Sequence, residues 1–351
     1  MQAIDFALRT GGAVLLALAG ALIVWRHRAT PAGWLAGLLA LTVAAHLLCP
    51  PVVHAWGLRW ASVPILLACI AVPGVFWLFA CALFEDGFRL RAWHALPLAA
   101  LLAAGMTDAF LRLSAAPPSA MLTPAATVAS KLLALALIVA ALVQTLAGRA
   151  ADLVDARRDL RAWLVGASGA YMVAVVAVEL YLRGESAPAE LSVLNAALIL
   201  LLALSLSLAL LRQRAPVIVA APAVPLADMD AGERQLAERL RRAVGQDRVY
   251  RHEGLTIASL AKQLGAPEYR LRRVINRHLG FRNFNDFLNH HRVRDACAAL
   301  ADPARARVPI LSLALDLGYL SLSPFNRAFK AQTGLTPREY RRTKLSMPAA
   351  D

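Results

Sequence analysis

The chain has 351 residues, of which 59% are hydrophobic, a mean hydropathy of +0.55 and a formal net charge of +14. An ordinary single soluble domain is excluded by the hydrophobic share, and an ordinary membrane protein by the charge, unless that charge sits in one place. It does: residues 231–351 hold 22 Lys+Arg against 11 Asp+Glu, leaving 15 against 12 upstream, so an apolar front is joined to a basic back.

The apolar front contains seven stretches long enough to cross a bilayer as helices, at roughly 5–25, 31–49, 61–84, 93–113, 121–147, 162–182 and 189–211. The fourth is the least regular, because it carries Pro97, Gly105 and Asp108. With the N-terminus outside, the inward loops hold ten Arg (26, 28, 89, 91, 149, 157, 158, 161, 212 and 214) and the outward loops only Arg59, Arg112 and Arg183. An odd number of spans from an outside N-terminus also delivers the basic end to the cytoplasm, which agrees with the Arg count. The first stretch resembles a signal-peptide core, but its charges, "RHR" at 26–28, follow the apolar run, which suits a retained span. The expected location is the bacterial cytoplasmic membrane, multi-pass, with lipid as one partner.

Ionisable residues inside spans are costly and so mark candidates. Arg9, His46, Asp108, Lys131 and Glu179 lie toward the outer ends of their spans in this topology, Lys131 somewhat deeper. Two readings compete: residues that snorkel or pair near an interface, as Asp108 with Lys131, or a polar pocket for a small-molecule or membrane-derived signal. "GASG" at 166–169 matches a segment around an intramembrane protease serine, but the one span after Ser168 has no His to act as its base, and small residues at a helix contact explain the letters. No enzyme activity is expected.

Cys49, Cys69, Cys81 and Cys297 lack the paired spacing of a zinc site or disulfide framework and read as small buried hydrophobes. His290 and His291, adjacent on a helix, point about 100° apart with no third ligand nearby, so they read as solvated or phosphate-facing. Neither a metal nor a cofactor is expected.

The sequence predicts three parts: a membrane domain at 1–214, a Pro-rich extended linker at 215–231, and a helical domain at 232–345. The linker, as a flexible chain of about 16 residues, would reach roughly 20 to 25 Å. In the helical part, Leu236, Leu240 and Val244 share one face of a first helix. A helix-turn-helix follows at 256–280: Thr256 as N-cap, the stripe Leu260, Ala261 and Leu264, the break at Gly265, and Pro267 opening a second helix. In that second helix Leu271, Val274 and Ile275 point inward, leaving Tyr269, Arg272, Arg273 and Asn276 outward.

The pattern recurs at 309–334. "LAKQLG" at 260–265 returns as "LALDLG" at 313–318, and Gly280 as Gly334. Ser323 is expected to cap the second reading helix, with Pro324 at its first position; Phe325, Ala328 and Phe329 point inward and Ser323, Asn326, Arg327 and Lys330 outward. Between the copies, "NFNDFLNHHRVRDACAALAD" reads as one bridging helix with Phe284, Phe287, Leu288, Val293 and Leu300 buried, and a last short helix starts at Thr336–Pro337 and buries Tyr340. A rigid spacer suits two reading helices that must meet duplex DNA about 34 Å apart.

Residues 232–343, ending in "LGYLSLSPFNRAFKAQTGLTPREYRR", resemble the DNA-binding domain of AraC/XylS-type transcription regulators, with Gly318, Phe325, Arg327, Phe329, Lys330, Gly334, Pro337 and Tyr340 in the positions of its signature. The resemblance implies that the second helix of each unit reads bases, which falls here on Tyr269, Arg272, Arg273, Ser323 and Arg327. Arg forks suit guanine and Asn276 or Asn326 adenine, each good pair discriminating by about 1 to 3 kcal/mol. Many members carry a soluble ligand-binding barrel upstream, where this chain has its predicted spans. The expectation is therefore an all-α protein, a seven-span bundle followed by a cytoplasmic double helix-turn-helix domain. Its partners would be double-stranded promoter DNA, the bilayer, RNA polymerase and a second copy of the chain. The alternative is a membrane receptor or transporter whose basic tail is a weak nucleic-acid or protein interaction module.

Overall fold

The computed structural model describes residues 2–56, 62–85, 88–113, 122–154, 157–158, 164–182, 188–212 and 230–346, and among these the regular elements are helices, with one isolated β-bridge between Asp152 and Asn283. Most of the expected linker, 215–229, lies outside them. The chain divides into an apolar unit, residues 1–149 and 156–220, and a basic unit, residues 150–155 and 221–351.

In the apolar unit the helices are α1 (Gln2–His27), α2 (Pro31–Trp56), α3 (Val63–Phe84), α4 (Ala95–Leu113), α5 (Leu122–Leu146), α6 (Ala170–Tyr181) and α7 (Ala189–Arg212). Each overlaps one of the seven expected stretches, α1 and α2 running beyond theirs, and a π-helical turn, Leu164–Gly169, leads into α6. Among the described residues five of these helices are long and apolar enough to cross a membrane, while the sixth and seventh apolar segments are shorter by that measure. Small residues set the close approaches. A Cβ on Gly37 would collide with Val24, so α1 and α2 meet through a glycine surface. Gly169 of "GASG" is likewise pressed against Leu142, which is the packing role that small residues serve.

The basic unit is built of α8 (Ala231–Gly245), α9 (Ile257–Gln263), α10 (Glu268–Arg273), α11 (Phe284–Ala301), α12 (Ile310–Asp316), α13 (Leu322–Thr333) and α14 (Pro337–Ser346). It has two cores. The first gathers Leu236, Leu240, Leu260, Leu271, Val274 and Ile275 with Phe284, Phe287 and Leu288; the second gathers Leu313, Ala314, Leu317, Phe325 and Phe329 with Val293, Ala296 and Leu300. The bridging helix α11 thus gives its first half to one core and its second half to the other. It cannot be a freely rotating spacer, because each half is locked by its own aromatic cluster.

Local signals explain where the helices begin and end. Thr256 caps α9 in a reciprocal box with Ser259, and Thr336 does the same for α14 with Glu339. Gly265, Gly280, Gly318 and Gly334 all have positive φ, so the breaks after both first helices and both reading helices use the same left-handed device. One expectation needs correcting: α13 is capped at Ser321, not Ser323, and begins at Leu322. Pro324 sits inside the first turn, where its missing N–H has no intrahelical partner to lose, so it does not mark the first position.

Candidate nucleic-acid interface

In sequence the second helices of the two units align at an offset of 54, so Leu271 matches Phe325 and Ile275 matches Phe329, and all four are fully buried. The expected outward sets then correspond pair by pair: Tyr269 with Ser323, Arg272 with Asn326, Arg273 with Arg327, and Asn276 with Lys330. In the second unit Ser323, Arg327 and Lys330 are exposed and Asn326 is half-buried. That helix presents an open polar face carrying two cations.

The first unit differs. Tyr269 and Arg273 are exposed, but Arg273 lies 3.4 Å from the carboxylate of the buried Glu233, at the start of α8. Asn276 spends its amide on the carbonyl of Phe281 at 2.9 Å, which closes the helix end. Arg272 is only 4% exposed. Its Nε donates to Glu268 at 2.8 Å, Nη2 donates to the carbonyl of Ala150 at 3.2 Å, and Nη1 donates to the carbonyl of Asp152. The open face expected for Arg272 is therefore covered, by a segment 120 residues upstream that the helical period cannot reveal. Past Arg273 the helix loosens into a π turn, Val274–His278, which shifts the register of its last residues.

Arg270 and Arg277 were not among the expected contacts and are exposed beside Tyr269 and after Asn276 respectively. Arg270 donates to the Tyr269 hydroxyl at 3.3 Å, so the two side chains act as one surface feature. The spacing of Arg270 from Arg273, three residues, was the available signal.

The similarity to known proteins falls inside the basic unit. A helix-turn-helix domain family model matches residues 260–343. The regulatory protein SoxS of Escherichia coli K12 is 33% identical over 87 residues, covering 25% of this chain and 78% of its own length. SoxS of Salmonella typhimurium is 31% identical over the same shares. The chain belongs to the AraC-type helix-turn-helix regulators. No solved structure matches significantly. As an AraC-type regulator the chain is a DNA-binding transcription regulator, and the match covers the double helix-turn-helix alone.

The remaining expected residues lie in the apolar unit of this AraC-type regulator. A cavity of about 490 Å³ is lined by His46, Asp108, Lys131 and Glu179, with Ser168 and Tyr171 beside them and apolar side chains around them. Arg9 does not line it; it is buried, paired with Asp5 at 2.8 Å and bonded to the carbonyl of Leu47 and the hydroxyl of Ser192. The Asp108–Lys131 pairing is not formed. Asp108 pairs with Arg112, one turn along α4 and in reach without a span-to-span stretch, while Lys131 reaches across to Glu179 on α6 at 2.6 Å.

His290 is exposed as expected, but His291 is half-buried. It stacks on Tyr250 with ring centroids 5.5 Å apart and meets Phe287 edge-on at 5.0 Å. Burial, reinforced by the charges of His290 and Arg294 and opposed by Asp295, pushes its pKa down to about 4. Among the described residues no His, Cys, Asp and Glu cluster with metal-holding geometry occurs.

Proposed function

We propose that this AraC-type regulator is a membrane-anchored, sequence-specific one. Its seven apolar segments cross the bacterial cytoplasmic membrane from an outside N-terminus and leave the basic unit in the cytoplasm. The observation that carries this is the outward face of the apolar helices. Phe6, Val14, Leu18, Leu22 and Trp25 on α1, Leu41 on α2, Val143 on α5 and Leu201 on α7 are all exposed. A water-soluble unit would not present so much apolar surface, whereas lipid covers it. The Arg excess on the inward loops supports the orientation. In this reading Ser323, Asn326, Arg327 and Lys330, with Tyr269 and Arg273, face the major groove, while Arg272 and Asn276 are engaged within the protein.

The cavity is the candidate signal site of this reading, and it favours a compact ligand with an apolar body and a few polar contacts. Dimerisation and contact with RNA polymerase complete the proposal as partners. The test is footprinting of the full chain in lipid nanodiscs on promoter DNA, beside membrane fractionation of the native protein. A defined footprint from a carbonate-resistant membrane protein is expected. A membrane protein that gives no sequence-specific protection would favour the receptor or transporter reading.

A further inference from the structure

Only Ala147, Gly148 and Arg149 separate the end of α5 from Ala150, yet residues 150–155 belong to the basic unit. This segment runs antiparallel to residues 282–284, which lead into α11 after the first helix-turn-helix. Leu153 N donates to the carbonyl of Arg282 at 3.0 Å, Phe284 N donates to the carbonyl of Ala151 at 2.8 Å, and Asp152 stands opposite Asn283. Leu153, 2% exposed, is a member of the first core, beside residues of α8, α10 and α11. The segment also closes over Arg272, whose three guanidinium nitrogens are engaged by Ala150, Asp152 and Glu268. Of the eight side chains expected on the reading faces, Arg272 is the buried one.

We propose that residues 150–154 are a latch. Docked, the segment holds Arg272 on two main-chain carbonyls and withholds it from DNA; undocked, it frees the guanidinium from both carbonyls, leaving only Glu268 on the same helix as its partner, on the face that Tyr269 and Arg273 already share. The docking is small, two main-chain bonds, Leu153 with Ala151 against the core, the buried Asp152 and one guanidinium, which suits a contact that opens and closes. Its covalent position makes it a relay, because the segment follows directly from α5 and is succeeded by the next apolar stretch. A change in those helices can pull on it without any signal through the linker at 215–231. The inference rests on the DNA-binding reading above and adds the device by which the apolar unit would regulate it.

A disulfide tests it in the full chain. Asp152 and Asn283 form the wide, non-hydrogen-bonded kind of antiparallel pair, whose Cα atoms lie about 4.5 Å apart, within disulfide range. The doubly substituted chain, Asp152→Cys with Asn283→Cys, is reduced or oxidised in detergent micelles, and the bond is verified by mass spectrometry. The probe is a duplex enriched from a random-sequence library by the reduced protein. Oxidation is expected to weaken specific binding at least about tenfold, the value of one good charged contact, and dithiothreitol to restore it. Leu153→Ala is expected to tighten binding several-fold, and adding Arg272→Ala to cancel that gain. If Leu153→Ala fails to fold, the locked and reduced states of one protein still decide. Equal binding in both states overturns the latch and leaves the DNA-binding reading intact; no duplex retained in either state overturns both.

Discussion

Arg292, at the middle of α11, donates through Nε to the carbonyl of Tyr250 at 2.6 Å, while its Nη2 reaches the carbonyl of His252 at 3.1 Å. The same guanidinium lies 5.0 Å from the ring of Tyr319, which follows the turn of the second helix-turn-helix. One buried cation therefore ties the short turn before the first unit to the turn inside the second, and it does so on the helix that both cores share. Arg292→Ala would leave two carbonyls and a tyrosine face without their donor. A loss of roughly 2 to 4 kcal/mol is expected in urea unfolding of the basic unit. Arg292→Lys should recover little, since a point charge cannot bridge two carbonyls and lie flat on a ring. Full recovery by Lys would show that charge alone is at work.

Gly318 and Gly334 have the same left-handed backbone but different surroundings. A Cβ on Gly318 would strike the carbonyl of Arg251 and press on the Arg292 guanidinium, whereas nothing stands near one on Gly334. Gly334→Ala should cost about 1 to 2 kcal/mol, the price of the αL conformation. Gly318→Ala should cost that and a further roughly 1 to 3 kcal/mol of overpacking. Equal urea midpoints for the two variants would mean that the close approach to Arg251 does not exist.

How much of this was legible depended on how local the cause was. The inward residues of both reading helices follow the three-and-four spacing, and Leu271, Ile275, Phe325 and Phe329 are buried as that spacing requires. The four helix-ending glycines were readable because only a left-handed residue closes such helices. Ser323 was misread as a cap because Pro324 imitates a helix start, although a proline fits anywhere in the first turn. Arg272 and His291 were misjudged for another reason. Each is covered by a partner far off in the chain, the segment around Asp152 in one case and Tyr250 in the other, and a helical wheel shows which way a residue points but not what meets it.

Arg327 is exposed on the outward face of α13, in the place that Arg273 holds in the first unit. Arg327→Ala is expected to reduce binding to the selected duplex by about 1 to 3 kcal/mol and to relax preference at one or two base positions. Binding to random duplex should fall far less. An equal loss on both duplexes, with a shallower salt dependence, would assign Arg327 to a phosphate instead.

In α5, Lys131 faces the carboxylate of Glu179 beside the cavity. Lys131→Met leaves that carboxylate without its charge partner in an apolar surrounding, which is more costly than removing the pair. The single variant should lower the thermal stability of the solubilised chain, and Lys131→Met with Glu179→Gln should regain most of the loss. If the cavity takes a ligand, both variants and Asp108→Asn will shift the concentration at which it alters transcription. An unchanged response in all three would exclude these residues from a signal site.

His291 gives the basic unit a dependence on pH whose sign can be worked out. Its pKa in the fold is about 4, below the ordinary value of 6.5, so the unfolded chain takes up the proton first as pH falls. Stability is then full above about 6.5 and declines between about 6.5 and 4, because protonation draws the equilibrium toward the unfolded state. Partial exposure of the ring limits the loss to the order of 1 to 2 kcal/mol over that window. Asp295, held below the usual carboxylate range by Arg251 and Tyr250 against the upward push of its burial, adds its own loss only at lower pH. The two are therefore separable. Urea midpoints read by a brief protease pulse between pH 7 and 4.5 should slope downward for the native chain and flatten for His291→Phe, which keeps the stacking on Tyr250 and removes the proton site. A slope that survives in His291→Phe would place the titrating group elsewhere.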